Sequence, residues 1–206
     1  MSSSIAAPSG SRPDAVPQNR APARVALSAR RSSSSGIWVG VFAITMSFAA
    51  FTSALFVREG TADWGHLVLP PILYVNTLFL LASSGTLEAA RCYLRRSEGA
   101  AKSGSWVAIT LMLGLGFCAG QYRAWLDLRG QGIYLATNPN SSFFYVLTFM
   151  HALHVLAGLI ALAYLAYRLT IRSGMVRRGV FDNTAVYWHF MTALWVYLLV
   201  LCRMKL

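Results

Sequence analysis

The chain has 206 residues, of which 56% are hydrophobic and only 12% are charged, whereas soluble domains carry about 25% charged residues. This composition excludes an ordinary soluble domain and a largely disordered chain. The formal charge of +11 falls between apolar runs, which is typical of membrane topology and not of a nucleic-acid-binding face. We therefore expect an integral membrane protein.

Residues 1–35 form a segment rich in Ser, Ala, Pro and Arg, in which Asp14 is the one acidic residue. This composition, without apolar periodicity, predicts a disordered basic tail on the cytoplasmic side. A transit peptide is the alternative, because such segments are also rich in Ser and Arg and poor in acids. We do not expect a cleaved secretory signal, since the following apolar run is far longer than a signal core of about 7–15 residues.

Residues 36–206 contain five apolar segments, each long enough to cross a bilayer as a helix of roughly 20 residues. We predict an all-α bundle of five transmembrane helices, at about 36–57, 66–90, 105–126, 142–167 and 184–201. Pro70 and Pro71 fall near the start of the second segment, where a helix tolerates proline. The sequence "TNPNSS" before the fourth segment is an N-cap signal, which we assign to Ser141 and Ser142.

The basic residues predict the orientation of the bundle. With the N-terminus inside, the two inner loops hold Arg91, Arg95, Arg96, Lys102, Arg168, Arg172, Arg177 and Arg178. The outer regions hold Arg58, Arg123, Arg129, Arg203 and Lys205. Because Lys and Arg accumulate on the cytoplasmic side, we expect a cytoplasmic N-terminus and a periplasmic C-terminus.

Three histidines lie in the apolar segments: His151 and His154 in the fourth and His189 in the fifth. Ionisable residues inside a membrane are costly and commonly functional. Because residues three apart share a helix face, His151 and His154 could ligate a haem or a metal together with His189. The sequence favours the alternative, neutral imidazoles in helix packing, because His66 is the one further histidine that it offers as a ligand.

Other polar and aromatic side chains mark the predicted helix ends. Glu88 and Arg91, three residues apart, predict an ion pair at the inner surface, with proton uptake through Glu88 as the alternative. Trp188 and Trp195 fit an aromatic belt, with lipid or subunit contacts. Arg123 is predicted in an exit turn, or in contact with a lipid headgroup or a partner.

The sequence contains no nucleophile paired with a base, no phosphate-binding loop and no carboxylate pair deep in the membrane. It also lacks the helices broken by Gly or Pro in matching halves that indicate a transporter site. The residues alone therefore predict a subunit of a membrane complex. A stand-alone transporter and a di-haem membrane cytochrome are the alternatives from other classes.

Three segments, in order, resemble subunit III of the haem–copper oxidases. They read "LPPILYVNTLFLLASSGTLEAAR" at 69–91, "SSFFYVLTFMHALHVLAG" at 141–158 and "YWHFMTALWVYLL" at 187–199. The corresponding family patterns are Leu-Pro…Asn-Thr, His-x-x-His-Val and Trp-His-Phe. The resemblance covers about 36–206 and implies the short, five-helix bacterial form, in the inner (cytoplasmic) membrane.

The resemblance implies the non-catalytic subunit III of a cytochrome c oxidase, a complex that reduces oxygen and pumps protons. Such a subunit binds no haem or copper itself, and these cofactors are expected in partner subunits. It packs against subunit I, near subunit II, holds structural phospholipid and supports proton uptake. The alternative within the family is subunit III of a quinol oxidase or of a nitric-oxide-reductase-associated homologue. No nucleic acid partner is expected.

The chain departs from the family pattern where acids are common. Ile44 aligns with a buried acid of the first helix. Thr192 replaces the Asp of Trp-His-Phe-x-Asp, and Gln121 replaces a Glu that precedes Tyr. Neutral groups at these positions favour a scaffold over a proton antenna. The hydrogen-bond partner of His154 stays open, the candidates being Thr45, Ser47, a backbone carbonyl and a lipid headgroup.

Overall fold

The computed structural model describes residues 21–59, 69–95, 100–135, 138–170 and 178–205, with side chains from Ser35 in the first range and from Lys102 in the third. This part of the chain forms five helices: α1 (Ala21–Glu59), α2 (Ile72–Arg95), α3 (Ala100–Gly130), α4 (Pro139–Thr170) and α5 (Arg178–Lys205). Each helix is long and apolar enough to cross a membrane. The predicted all-α bundle of five membrane-spanning helices is thereby confirmed.

The first helix is longer than predicted. Its membrane-spanning stretch is Ser35–Glu59, but the helix begins at Ala21. Residues 21–35, predicted as disordered, are therefore helical, and residues 1–20 lie outside the described part. Ala and Arg have high helix propensity, and extending an existing helix avoids the cost of nucleation. Composition alone does not show that the membrane-spanning helix continues back to Ala21.

The second helix begins at Ile72 instead of the predicted residue 66. Pro70 and Pro71 precede it, and their carbonyls accept hydrogen bonds from the N–H groups of Leu73 (3.2 Å) and Tyr74 (3.1 Å). The two prolines therefore form the entry to the helix, because they supply acceptors but no donors. Residues 60–68, which include His66, lie outside the described part.

The remaining helix ends extend two to six residues beyond the predicted spans. Apolar windows detect the hydrocarbon-crossing part of a helix, whereas the helix itself continues through the polar headgroup region. Basic side chains such as Arg129 and Lys205 occupy these last turns, where they also favour the negative end of the helix dipole.

The connection from α3 to α4 has a defined structure at both helix ends. Gly132 has φ +77°; its N–H bonds to the carbonyl of Arg129 (3.0 Å), and the next N–H bonds to that of Leu128 (3.1 Å), which is a Schellman motif. At the start of α4, the Asn138 N–H donates to the Ser141 hydroxyl at 3.2 Å. The cap is thus Asn138, three residues before the predicted one, and Ser141 takes the reciprocal position of a capping box.

Four helices form a ring, and α1 lies outside it. α2 packs against α3, α3 against α4, α4 against α5, and α5 against α2. α1 packs against α4 and α5, with no Cα within 8 Å of α2 or α3 in the described residues. At the centre, a Cβ on Gly114 would come within 2.9 Å of the Trp188 ring, and one on Gly158 within 3.0 Å. These glycines let α3 and α4 close around Trp188 of α5, as small residues do at membrane helix interfaces.

Candidate functional site

His151 is fully buried on the side of α4 that faces α3 and α5. Its ring lies 5.2 Å from the Trp195 ring (centroid to centroid, 31° between planes) and 6.0 Å from the Phe117 ring, edge to face. Neither ring nitrogen reaches a hydrogen-bonding atom of the described residues. The imidazole therefore acts here as an aromatic packing group, with its two polar atoms enclosed.

His154 is half-buried and faces α1. Its ring packs against Phe48 at 5.9 Å, and its Nδ1 lies 2.6 Å from the carbonyl oxygen of Met150, one turn earlier in α4. Thr45 and Ser47 donate instead to carbonyls of their own helix, at 2.8 and 3.0 Å. Of the four candidate partners, the backbone carbonyl is the one that the structure supplies.

The two histidines of α4 thus contact different neighbours. Although a three-residue spacing keeps both on adjoining sides of the helix, His151 contacts α3 and α5, and His154 contacts α1. Within the described ranges, no three His, Cys, Asp or Glu side chains are close enough to hold a metal ion. His189 lies apart from both, in a different set of contacts.

A set of five side chains, here called the α2–α5 polar cluster, joins α2 to α5: Ser84, Glu88, Arg91, Asp182 and His189. His189 Nδ1 lies 2.5 Å from Ser84 Oγ, and its Nε2 lies 3.6 Å from Glu88 Oε2. Arg91 Nη1 lies 3.5 Å from Glu88 Oε2, and Arg91 Nη2 lies 2.8 Å from Asp182 Oδ1. The cluster therefore links the two helices by an interhelical ion pair and a hydrogen-bonded imidazole.

Glu88, Arg91 and His189 are expected from the sequence, whereas Ser84 and Asp182 are not. A signal was present in the spacing. Ser84 and Arg91 are seven apart on α2, and Asp182 and His189 are seven apart on α5, so each pair lies on one helix face. Sequence spacing could not reveal that these two faces meet, because α2 and α5 are not consecutive in the chain.

Trp188 and Trp195 lie inside the bundle, not in an aromatic belt, and this corrects the predicted lipid or subunit contacts. Both are at most 1% exposed. The Trp188 indole N–H donates to Ser83 Oγ of α2, and that of Trp195 to Thr77 Oγ1, each at 3.0 Å. A buried indole N–H needs such a partner, and the hydroxyls of α2 provide it.

Three other residues singled out in the sequence, Thr192, Gln121 and Arg123, lie apart from one another in the structure. Thr192 is buried, and its hydroxyl donates to the Trp188 carbonyl of its own helix at 3.0 Å. Gln121 is 2% exposed inside the bundle, and its amide reaches no hydrogen-bonding atom of the described chain. Arg123 is exposed on α3. None of these side chains contacts the α2–α5 polar cluster through a hydrogen bond or an ion pair among the described residues.

A groove of about 720 Å³ lies where α3 ends and α4 begins, lined by Trp125, Arg129, Tyr134, Leu135, Tyr145, Val146 and Phe149. Its walls are mainly aromatic and aliphatic. Trp125 is tied to α4 by a 3.2 Å hydrogen bond to Thr148, and Tyr145 donates to the Ile133 carbonyl at 2.9 Å. Sequence reasoning missed this groove, because it depends on how the connection folds back over α4.

Comparison with known proteins gives relatives over most of the chain. Residues 35–204 match the family model of cytochrome c oxidase subunit III. The cytochrome c oxidase subunit 3 of Synechocystis sp. is 31% identical over 169 residues, which cover 81% of this chain and 69% of that protein. That of Bacillus sp. is 26% identical over 183 residues, with 86% and 88% covered. The cytochrome bo(3) ubiquinol oxidase subunit 3 of Pseudomonas putida is 28% identical over 167 residues, with 78% and 80% covered.

Proposed function

The chain belongs to the cytochrome c oxidase subunit III family, and we propose that it is the non-catalytic subunit III of a cytochrome c oxidase in the bacterial inner membrane. The observation that carries this proposal is the family match over residues 35–204, which spans the five membrane-spanning stretches of the described chain up to the last residue of the fifth. The oxidase reduces oxygen and pumps protons through cofactors in other subunits, with subunit I as the main partner and subunit II nearby.

A scaffold role is supported by the use that this chain makes of its intramembrane polar groups. His151 stacks on aromatic rings, His154 bonds to its own helix, and Thr192 does the same. These contacts use the polar groups within the subunit, and the three histidines of the described residues do not converge on a shared ligand position. We therefore place haem and copper in the partner subunits.

Structural phospholipid is a further part of the proposal. The groove at the end of α3 combines apolar walls with the guanidinium of Arg129, a combination that suits an acyl chain and an anionic headgroup. With Arg123 also exposed on α3, this end of the helix presents two cations toward the headgroup region.

The electron donor of the complex is cytochrome c or a quinol, since relatives of both kinds of oxidase match this chain. The Synechocystis relative is a cytochrome c oxidase subunit and the Pseudomonas relative a ubiquinol oxidase subunit, at 31% and 28% identity. We favour cytochrome c because the family model that matches carries that name. Steady-state oxygen consumption by the purified complex, with reduced cytochrome c or a quinol as donor, separates the two.

The central experiment is purification of the tagged chain in a mild detergent, followed by an absorption spectrum. We expect the haem–copper catalytic subunit to co-purify, with a Soret band that disappears once this chain is separated from it. If the isolated chain keeps a stoichiometric Soret band, the membrane cytochrome is correct instead. If no oxidase subunit co-purifies and the chain alone supports substrate flux in liposomes, the transporter is correct.

A further inference from the structure

One face of α5 is exposed between α1 and α2. This α5 stripe consists of Ala193, Val196, Tyr197 and Val200, all exposed and spaced three or four apart, so that they share one side of the helix. The Tyr197 hydroxyl lies 2.9 Å from Thr52 Oγ1 of α1, and His189, one turn before Ala193, contacts α2 through Ser84. The stripe therefore runs from the α2 side to the α1 side of α5.

The stripe is the floor of a groove whose walls are two helices. α1 and α2 both pack against α5, yet no Cα of the described α1 lies within 8 Å of α2. Ala193 is small, and small residues let another helix approach closely in a membrane. Val196 and Val200 add exposed aliphatic surface beside it. The groove thus has the shape to receive one more helix.

The α2–α5 polar cluster lies beside the stripe and is itself only partly covered. The side chains of Glu88 and Asp182 are 47% and 45% exposed, and that of His189 is 37% exposed. α5 has 28 residues, so it is ~42 Å long, and centring it on a hydrocarbon core of ~30 Å puts His189 ~10 Å inside. The same measure puts Glu88, seven residues before the end of α2, ~7–8 Å inside and Asp182 at the edge of the core. Glu88 and His189, partly exposed within the core, need a polar neighbour, because acyl chains offer no hydrogen bonds.

The charge of the cluster indicates what that neighbour carries. Two carboxylates, Glu88 and Asp182, share one guanidinium, Arg91. The carboxylates outnumber the guanidinium by one, so these three groups carry an excess of one negative charge. A complementary group is a cation or a strong hydrogen-bond donor, and phosphate headgroups have the wrong sign.

We propose that a transmembrane helix of another subunit of the same oxidase packs along the α5 stripe, between α1 and α2, and presents a Lys, an Arg or a neutral donor to Glu88 and Asp182. This inference rests on the proposed function, since it takes the partner from the oxidase. It adds the contact face and the chemistry of the partner's side chain. Glu88 then acts in subunit recognition, a role beyond the surface ion pair and the proton uptake that the sequence suggests for it.

Photo-crosslinking in native membranes tests the contact face. We place p-benzoyl-phenylalanine at position 193 of the tagged chain and, as a control, at position 119, an exposed alanine on α3, the helix diagonally opposite α5 in the ring. We expect position 193 to capture a transmembrane peptide of another oxidase subunit, within two helical turns of a Lys, Arg or other donor. Lipid adducts alone, or a second copy of this chain, would overturn the inference.

A pair of matched substitutions tests the same face. The measurement is the amount of the other oxidase subunits that stay bound to this chain during purification in detergent. Ala193→Trp fills the groove, whereas Ala119→Trp adds the same bulk on α3; both positions are exposed, so neither change disturbs the core. We expect Ala193→Trp to reduce the retained oxidase subunits roughly tenfold relative to Ala119→Trp, as overpacking of a helix interface does. Equal retention in the two variants overturns the inference.

The role of the carboxylate charge of the cluster is tested with Glu88→Gln. The control is Asp127→Asn, because Asp127 is an exposed acid on α3. We expect the first change to weaken subunit retention several-fold and the second to leave it unaltered. Retention unaffected by Glu88→Gln overturns the assigned donor. Complete absence of oxidase subunits from preparations of the unmodified chain overturns the proposed function instead, so the two failures are distinguishable.

Discussion

Gly120 of α3 lies directly beneath the side chain of Asn76 of α2. A Cβ at Gly120 would come within 2.0 Å of Asn76 Oδ1, which is far inside van der Waals contact. Asn76 is fully buried and has little room to move away. Gly120→Ala should therefore lower the free energy of unfolding by about 1–3 kcal/mol, as overpacking typically does.

The control for Gly120→Ala lies one turn away on the same helix. At Gly116, a Cβ would meet only the Phe79 ring, at 3.9 Å, an ordinary contact. Gly116→Ala should be neutral or stabilising by up to ~1 kcal/mol, because alanine favours the helix. Equilibrium unfolding of the detergent-solubilised subunit in sodium dodecyl sulfate compares the two variants, and similar stabilities would contradict the assigned close approach.

His151 permits a second prediction at the residue scale. Its ring packs between Trp195 and Phe117, and both nitrogens are enclosed without a partner in the described structure. His151→Phe keeps an aromatic ring at this position and removes two buried polar atoms, so the free energy of unfolding should stay equal or rise. His151→Ala leaves a cavity and should cost roughly 2–5 kcal/mol.

The measurements for the His151 variants are thermal unfolding and the haem-to-protein ratio of the purified complex. The haem ratio should stay constant in both variants where the complex forms, because the imidazole serves packing. A fall in haem content with His151→Phe, at unchanged stability, would indicate that the imidazole is a ligand after all.

At the element scale, α1 is the helix with the weakest attachment to the ring. The interactions that hold it include the Thr52–Tyr197 hydrogen bond (2.9 Å), the Lys205–Glu59 ion pair (3.1 Å) and the packing of Phe48 on His154. The first two of these join α1 to α5. Loss of one such bond should therefore loosen α1 without unfolding the ring.

Tyr197→Phe removes the hydroxyl that pairs with Thr52 and should weaken the attachment by ~0.6–2 kcal/mol, the range of interhelical hydrogen bonds in membranes. Hydrogen exchange of the isolated subunit should then rise in residues 41–57 and stay constant in α3. Tyr122→Phe, an exposed tyrosine of α3, is the matched control. Uniform exchange changes in all five helices would contradict a separately held α1.

The sequence predicted the number and type of elements because membrane spans depend on local hydrophobicity. It did not predict which faces meet. The place of Trp188 and Trp195 near predicted helix ends predicts a position at the membrane rim, whereas α5 turns them inward against Ser83 and Thr77. Asp182 was missed for the same reason, since its partner Arg91 lies on a helix distant in sequence. Nonlocal packing decides these positions.

The candidate site shows the same contrast between what local sequence rules predict and what nonlocal packing decides. Local rules predicted Glu88 and Arg91 as an i, i+3 pair, and the atoms lie 3.5 Å apart. The connection to α5 required the order of the ring, in which α2 is the neighbour of α5 and α1 is displaced outside. That order also creates the groove between α1 and α2, a feature with no counterpart in any single stretch of sequence.

At the scale of the whole molecule, the odd number of membrane-spanning helices in the described chain puts the N-terminal start of α1 and the end of α5 on opposite sides. The distribution of Lys and Arg predicts the direction, with the α2–α3 and α4–α5 connections on the cytoplasmic side. The α2–α5 polar cluster lies toward this same side, since α2 ends and α5 begins there. The orientation therefore decides which compartment the cluster faces.

We expect a protease-sensitive tag after Leu206 to be cleaved in intact spheroplasts and the same tag before Met1 to be protected until the membrane is opened. Replacing the basic residues of the α2–α3 connection by glutamine should reduce this bias, because they supply much of the inner charge. The reverse cleavage pattern would contradict the predicted orientation and would place the polar cluster and its proposed partner contact on the periplasmic side.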